Sequence, residues 1–173
     1  MAIASTSYPR NKIKVLLLEN ISDAAVKELE AGGYTHIERI GGALGEADLI
    51  KAVRGVHLLG IRSKTKVTKN VLEAADKLLA IGAFCIGVNQ IDLKAATEKG
   101  IAVFNAPHAN TRSVAELIIG LSVMLIRKIA DKNAAAHRGE WLKEAKGSFE
   151  LRGKTLGIIG YGNIGSQVSI MAE

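Results

Sequence analysis

The chain has 173 residues, 48% of them hydrophobic and 23% charged, with a net charge of +6, an ordinary globular composition that suits one domain plus a piece of a second. A single cysteine, Cys85, excludes an intramolecular disulfide. The N-terminus lacks the basic-then-apolar-then-small order of a secretory signal, so a reducing cytoplasm is the expected location. The positive balance does not argue for nucleic acid, because aromatics are only 4% and Lys and Arg alternate with Asp and Glu, as in Lys27, Glu28 and Glu30.

After a polar leader ending at Pro9, the run Ile13 to Glu19 reads as a buried strand. Ser22 predicts the N-cap of a helix that places Val26 and Leu29 on one face and stops at Gly32 and Gly33. The alternation then repeats. "THIERI" predicts a strand and "GEADLIKAVRG" a helix; "HLLGIRS" predicts a strand and "TKNVLEAADK" a helix capped at Thr68. "LLAIGAF" predicts a strand, "DLKAATEKG" a helix closing on Gly100, and "IAVFNA" a fifth strand before Pro107. Strands alternating with short helices across close connections predict an α/β fold, a doubly wound parallel sheet covered on both faces. Its ligand crevice belongs beyond the carboxyl ends of the strands, where strand order reverses.

The pattern changes at Pro107, which divides the chain into residues 1–107 and 108–173. Beyond it the sequence reads as one long helix or two, opened by a capping box of Ser113 and Glu116. Apolar residues cover most of its circumference between Val114 and Ile129. Such a helix needs cover, and a second subunit is the expected one. Its most apolar run, Val114 to Ile126, contains Glu116 and falls short of the roughly 18–20 residues that cross a bilayer. "GKTLGIIG" predicts the strand that begins a second α/β unit.

That strand leads into Gly160, Gly162 and Gly165 at G-x-G-x-x-G spacing. Following a strand and opening a helix, this turn is a device for a dinucleotide pyrophosphate. Gly160 permits the tight turn, Gly162 admits the phosphates, and Gly165 lets the helix pack, while the N–H groups of Asn163 and Ile164 face the anion. A strand-to-helix turn with glycines for packing alone is the alternative. The acidic residue expected about 20 positions later, for the ribose hydroxyls, lies past the last residue.

Arg62 and Ser63 close the third strand, where a guanidinium fork beside an N–H and a hydroxyl suits a carboxylate or phosphate, although a solvated arginine fits the same spacing. Arg62, Lys64, Lys66 and Lys69 form a cationic cluster. In "AFCIGVNQID", Gly87 with Asn89 and Asp92 forms either an anion-binding turn or a plain strand-to-helix connection. Cys85 reads as a small buried residue and Trp141 as a packing anchor. The histidines His36, His57, His108 and His137 show no metal-ligand spacing.

Together "GIRSKTKVTKNVLEAADKL", "FCIGVNQID", "NAPHANTRSVAEL", "AHRGEW" and "GKTLGIIGYGNIGSQV" resemble the N-terminal part of the NAD-dependent D-2-hydroxyacid dehydrogenases, in their bacterial and fungal phosphoglycerate-dehydrogenase branch. The resemblance runs from about Lys12 to the last residue. It implies a flavodoxin-like substrate domain followed by the start of a Rossmann-type NAD-binding domain. Arg62, Ser63, Cys85, Ile86 and Gly87 would hold the acid. Asn110 and Thr111 would lie near the nicotinamide, and Gly160, Gly162, Asn163, Ile164 and Gly165 would hold the NAD pyrophosphate.

The implied reaction is oxidation of 3-phosphoglycerate to 3-phosphohydroxypyruvate by NAD, the first step of L-serine biosynthesis. In the family a histidine oriented by a glutamate takes the hydroxyl proton and an arginine steadies the carboxylate. None of the three has a counterpart in this sequence, nor has the segment that returns to complete the substrate domain. The expectation is therefore a truncated chain with no catalytic residue, an incomplete NAD site and no activity alone. The helix over residues 113–133 is expected to form a homodimer, with no metal, nucleic acid or membrane involved. Another D-2-hydroxyacid dehydrogenase, including the corepressor branch, and an anion-binding or assembly module without catalysis stay open as alternatives. The cationic cluster favours a phosphorylated acid.

Overall fold

The computed structural model describes residues 8–173. Most of the polar leader, with the expectation that it holds no secretory signal, lies outside them. The chain divides into two compact units, one reaching Ala109 and the other spanning Asn110–Glu173.

In the first unit five strands, β1 (Lys14–Leu18), β2 (His36–Ile40), β3 (Leu58–Ile61), β4 (Ala80–Ala83) and β5 (Ala102–Asn105), pair in parallel in the order β2-β1-β3-β4-β5. Between them run α1 (Asp23–Ala31), α2 (Glu46–Ala52), α3 (Lys69–Ala74) and α4 (Leu93–Glu98). The unbroken apolar run of β1 serves both faces of the sheet. Leu16 and Leu18 join the main core with Leu49, Leu59, Ile61, Val71, Leu72 and Ile81, while Val15 and Leu17 pack with Ile21 against Val26 and Leu29 of α1. Full burial of each such leucine is worth about 1.5–3 kcal/mol. The helix starts follow local chemistry, since Ser22 Oγ, Thr68 Oγ1 and Asp92 Oδ1 accept from the N–H groups of Ala24, Val71 and Ala95.

The main core lies under α2, α3 and α4. On the opposite face α1 covers β1 and its neighbours only. Among the described residues no helix of this unit covers that face over β5, and Phe104 there is 65% exposed. The expectation of a sheet covered on both faces therefore holds on one face and only in part on the other.

The second unit contains α5 (Thr111–Ile126), α6 (Ile129–His137) and α7 (Asn163–Ala172), with α5 packed against α7. The two-helix reading is the observed one, because Lys128 adopts a left-handed conformation at φ 51° and separates α5 from α6. The capping box of Ser113 and Glu116 does not form. Asn110 occupies the N-cap, Ser113 Oγ donates to the carbonyl of Asn110 at 3.0 Å, and Glu116 pairs instead with Arg112 at 2.8 Å. A cation one turn away gives that carboxylate a better partner than a distant N–H.

Two further expectations fail in this unit. The segment "GKTLGIIG" forms no strand, since a strand is defined by its ladder and no neighbouring strand stands beside it among the described residues. Trp141 is not a packing anchor, for it is 83% exposed in a stretch without regular structure. Leu117, Leu121, Met124 and Leu125 leave α5 with an exposed apolar face. No helix among the described residues is long and apolar enough to cross a membrane, and none of their His, Cys, Asp or Glu side chains group as metal ligands.

Candidate functional site

Strand order reverses between β1 and β3, and an open parallel sheet of this order offers its crevice at that point, beyond the carboxyl ends of the strands. Glu19 stands there, just after β1, 7% exposed and with φ 61°. Its carboxylate gathers the loop that follows β3. Oε1 accepts from the N–H groups of Arg62 at 3.1 Å and Thr65 at 2.8 Å, and Oε2 accepts from Lys64 at 3.0 Å. Burial opposes the charge on Glu19, but the Thr65 hydroxyl and these three backbone donors outweigh it and hold the carboxyl below its ordinary value. Thr65 Oγ1 lies fully buried without a formed hydrogen bond among the described residues, so the backbone N–H groups make the definite contacts.

The loop that follows β4 lies alongside, because Ile61 and Ala83 are paired in register. Gln90 ties the two loops together. Its Nε2 donates to the carbonyl of Arg62 at 2.9 Å and that of Gly87 at 3.2 Å, and lies 3.3 Å from Cys85 Sγ. Asn105, at the end of β5, donates from Nδ2 to the carbonyl of Ile86 at 2.7 Å. These carbonyls are thereby engaged by the protein's own side chains. By contrast, the N–H groups of Ser63, Cys85, Ile86 and Gly87 have no partner among the described residues. Four free backbone donors at two adjacent strand ends make a setting for an anion's oxygens.

The cationic cluster is looser than its spacing suggests. Lys69 pairs with Glu73 at 3.7 Å, while Lys64 and Lys66 are exposed and form no ion pair among the described residues. Arg62 is exposed as well, with Nη1 at 3.5 Å from the carbonyl of Glu19. A cleft of about 470 Å³ opens between the two loops, lined among others by Ser63, Lys66, Lys69, Asn89, Gln90 and Asp92. Its volume falls within the range of roughly 300–1,000 Å³ that small-molecule sites occupy.

In the second unit, Gly160 has φ 90° and Gly162 is the N-cap of α7. A Cβ at Gly165 would collide with the carbonyl oxygen of Gly160, whereas one at Gly162 would meet open space. The N–H groups of Asn163, Ile164 and Gly165 have no partner among the described residues, and the first bond of the helix runs from Ser166 N to the carbonyl of Gly162. This is a tight turn that brings free donors to a helix start and leaves room before them, which fits a pyrophosphate. Asn110 occupies the N-cap of α5, and Thr111 Oγ1 is buried without a hydrogen-bond partner among the described residues. Neither residue is hydrogen-bonded to the glycine turn.

The model of the D-isomer specific 2-hydroxyacid dehydrogenase catalytic domain matches residues 15–165. The chain belongs to that family. Among its relatives, the D-3-phosphoglycerate dehydrogenase of Escherichia coli strain K12 is 54% identical over 171 residues, covering 99% of this chain and 42% of the relative. The chain thus spans less than half the length of that relative. The crystal structure of the TT0316 protein from Thermus thermophilus is similar with a TM-score of 0.84 at 30% identity, over 92% of this chain and 52% of that one. A D-lactate dehydrogenase from Aquifex aeolicus, solved with NAD and lactic acid, shares the fold with a TM-score of 0.77 at 23% identity, over 92% and 48% of the two chains.

For this 2-hydroxyacid dehydrogenase chain, the structure brings Arg62, Ser63, Cys85, Ile86 and Gly87 together at one crevice and places Asn110, Thr111 and the glycine turn in the other unit. Sequence reasoning did not single out two of the three side chains that hold the crevice in shape. Glu19 reads as the last residue of a strand and Gln90 as an ordinary turn residue, whereas Asn105 ends the fifth strand, where such a fold places its ligands. The one available signal is an acidic side chain ending an apolar strand in a fold whose ligands bind at strand ends.

Proposed function

We propose that this chain provides the acid-binding domain and the opening turn of the NAD-binding domain of a D-3-phosphoglycerate dehydrogenase, acting in the cytoplasm in L-serine biosynthesis. The observation that carries the reading is the set of N–H groups at Ser63, Cys85, Ile86 and Gly87 that have no partner among the described residues, on two loops that Gln90 ties together through the Arg62 and Gly87 carbonyls. These donors take the carboxylate of 3-phosphoglycerate, and the exposed Lys64 and Lys66 favour a phosphorylated acid over lactate or glycerate. Hydrogen bonds to a charged group contribute about 1.5–3 kcal/mol each, so two or three correspond to a millimolar-to-micromolar dissociation constant.

Asn163 and Ile164 would hold the pyrophosphate of NAD at the glycine turn, with Thr111 presenting its orphan hydroxyl toward the cofactor. NAD, when bound, supplies the acceptor for the hydride leaving C2 of the acid. The proton on the C2 hydroxyl needs a base, and this chain offers none in position. His36 and His57 stand at the amino ends of β2 and β3, opposite the crevice, and none of the histidines is bonded to a carboxylate among the described residues. The 173 residues alone therefore bind acid without oxidising it, and the exposed apolar face of α5 pairs two copies.

The test is a titration of the isotopically labelled chain with 3-phosphoglycerate, read at the backbone amides, together with an assay for NADH. Shifts concentrated at Ser63 and Cys85 to Gly87, with no NADH formed, are expected. NADH formation by these residues alone refutes the division of roles, and a titration that leaves those amides unmoved refutes the acid site. Light scattering that finds a monomer at micromolar concentration refutes the pairing.

A further inference from the structure

Of the four successive N–H groups from Arg62 to Thr65, three point to one carboxylate and one does not. Glu19 accepts from Arg62, Lys64 and Thr65 at 2.8–3.1 Å, and Ser63 N is left without a partner among the described residues. The backbone that delivers this carboxylate is itself unusual. Glu19 and Asn20 are consecutive non-glycine residues in the left-handed region, at φ 61° and 52°, a conformation that asparagine tolerates and glutamate seldom adopts. Glu19 N donates to the carbonyl of Gly42 at 3.1 Å, which fixes the turn against a second connection. Strain of this sort persists where the surroundings demand it, and it clusters at sites of function.

We propose that Glu19 is the positioning residue of the acid site. Its carboxylate draws three N–H groups of the loop inward. The loop is thereby forced to present the Ser63 N–H and the base of the Arg62 side chain outward, toward the acid. Gln90 holds the Arg62 carbonyl at 2.9 Å, the opposite edge of the peptide that carries the Ser63 N–H, while Glu19 holds the N–H groups of the peptides on either side of it. This inference rests on the reading of the crevice as an acid site and adds what aims it.

The sign of the expected effect separates positioning from simple electrostatics. A buried carboxylate behind an anion site repels the anion, so on charge alone its removal tightens binding. A carboxylate that aims the loop does the opposite. Glu19→Gln keeps the size and one oxygen but turns an amide N–H₂ toward one of the loop donors. Glu19→Asp keeps the charge and shortens the reach.

The experiment titrates 3-phosphoglycerate into the labelled 173-residue chain and its variants, following the Ser63 amide, with thermal melts to confirm folding. Both variants are expected to bind at least tenfold more weakly than the parent. Glu28→Gln, which removes an equal charge from the exposed face of α1, is expected to stay within twofold. Either Glu19 variant, if folded, binding as tightly as the parent overturns the proposal, and the Asp variant keeps the test in force if the Gln variant does not fold. A parent chain whose Ser63 amide does not respond overturns the acid site and this proposal together, a failure seen before any variant is made.

Discussion

Gly120 and Gly165 both lie within helices of the second unit, yet the same substitution should move stability in opposite directions. At Gly120, in the middle of α5, an added Cβ meets nothing within 4 Å. Alanine there gains helix propensity and limits the unfolded chain, a stabilisation of about 0.5–1 kcal/mol. At Gly165, the third residue of α7, the same methyl strikes the carbonyl oxygen of Gly160 and stands 3.3 Å from Ile158 Cγ2. A backbone oxygen cannot rotate aside, so the turn must open, at an overpacking cost of about 1–3 kcal/mol. The propensity gain is common to both variants and cancels in their difference, which isolates the collision. For a unit of this size, 1 kcal/mol corresponds to about 4–8 °C in melting temperature. Gly165→Ala should therefore melt at least about 4 °C below Gly120→Ala in scanning calorimetry, with faster amide exchange in α7. Equal or reversed melting temperatures would mean that the close approach at the glycine turn is not a constraint and that sterics do not shape it for a phosphate.

The lowered pKa of Glu19 fixes the direction of one pH effect. Its contribution to stability is complete above its ordinary value of 4.5 and is lost as pH falls through the lower folded value. Acid unfolding of the parent should thus show a steeper fall below about pH 4.5 than Glu19→Gln, measured by urea midpoints across the acid range; parallel curves would remove Glu19 from the account. Asp76, exposed and lowered chiefly by the Gly55 N–H at 2.7 Å, contributes equally to both proteins and drops out of the comparison. Asn105→Ala frees the Ile86 carbonyl, and the loss of one hydrogen bond of about 0.5–1.5 kcal/mol should lower the melting temperature by several degrees and, by loosening the loop, weaken 3-phosphoglycerate binding roughly 2- to 10-fold; calorimetric melts and titration check it, and unaltered affinity counts against the loop geometry. Replacing Lys64 and Lys66 by alanine should weaken 3-phosphoglycerate about 5- to 10-fold at low salt and less at high salt, leaving D-glycerate unaffected. Equal losses for both acids would place the cations at the carboxylate instead.

The alternation of strands and helices was legible because each signal is local. Ser22, Thr68 and Asp92 cap helices from within three residues, and the apolar run of β1 needs no partner to be recognised. The second unit was harder to read for the same reason. "GKTLGIIG" has the composition of a strand, but a ladder is a relation between segments, and Ile159 is fully exposed where no neighbour pairs with it. Ser113 and Glu116 have the spacing of a capping box, yet Arg112 supplies a competing partner that spacing does not weigh. At the crevice, Arg62, Ser63 and Gly87 could be found because each sits at a predicted strand end. Glu19 could not, because its partners lie more than 40 residues along the chain, and only the strand order brings them side by side.

That order explains why the aiming carboxylate belongs on β1. In a sheet of order β2-β1-β3-β4-β5, the connections leaving β1 and β3 depart to opposite faces, which leaves a gap at their carboxyl ends. The loop after β3 borders that gap, and its pairing with β1 ends at Gly60. Three of its N–H groups need acceptors, and one carboxylate reaching across from β1 supplies all three. On the other side, β4 follows β3 in register and its loop is close enough for Gln90 to join the two by their carbonyls. Both supports act on the backbone, so on the proposed reading of the crevice the donors offered to an acid are peptide N–H groups whose position does not depend on the side chains at Ser63 or Ile86. If the crevice holds the carboxylate common to 2-hydroxy acids, as proposed, that recognition rests on the fold, and the exposed Lys64 and Lys66 are left to set what the other end of the acid must be.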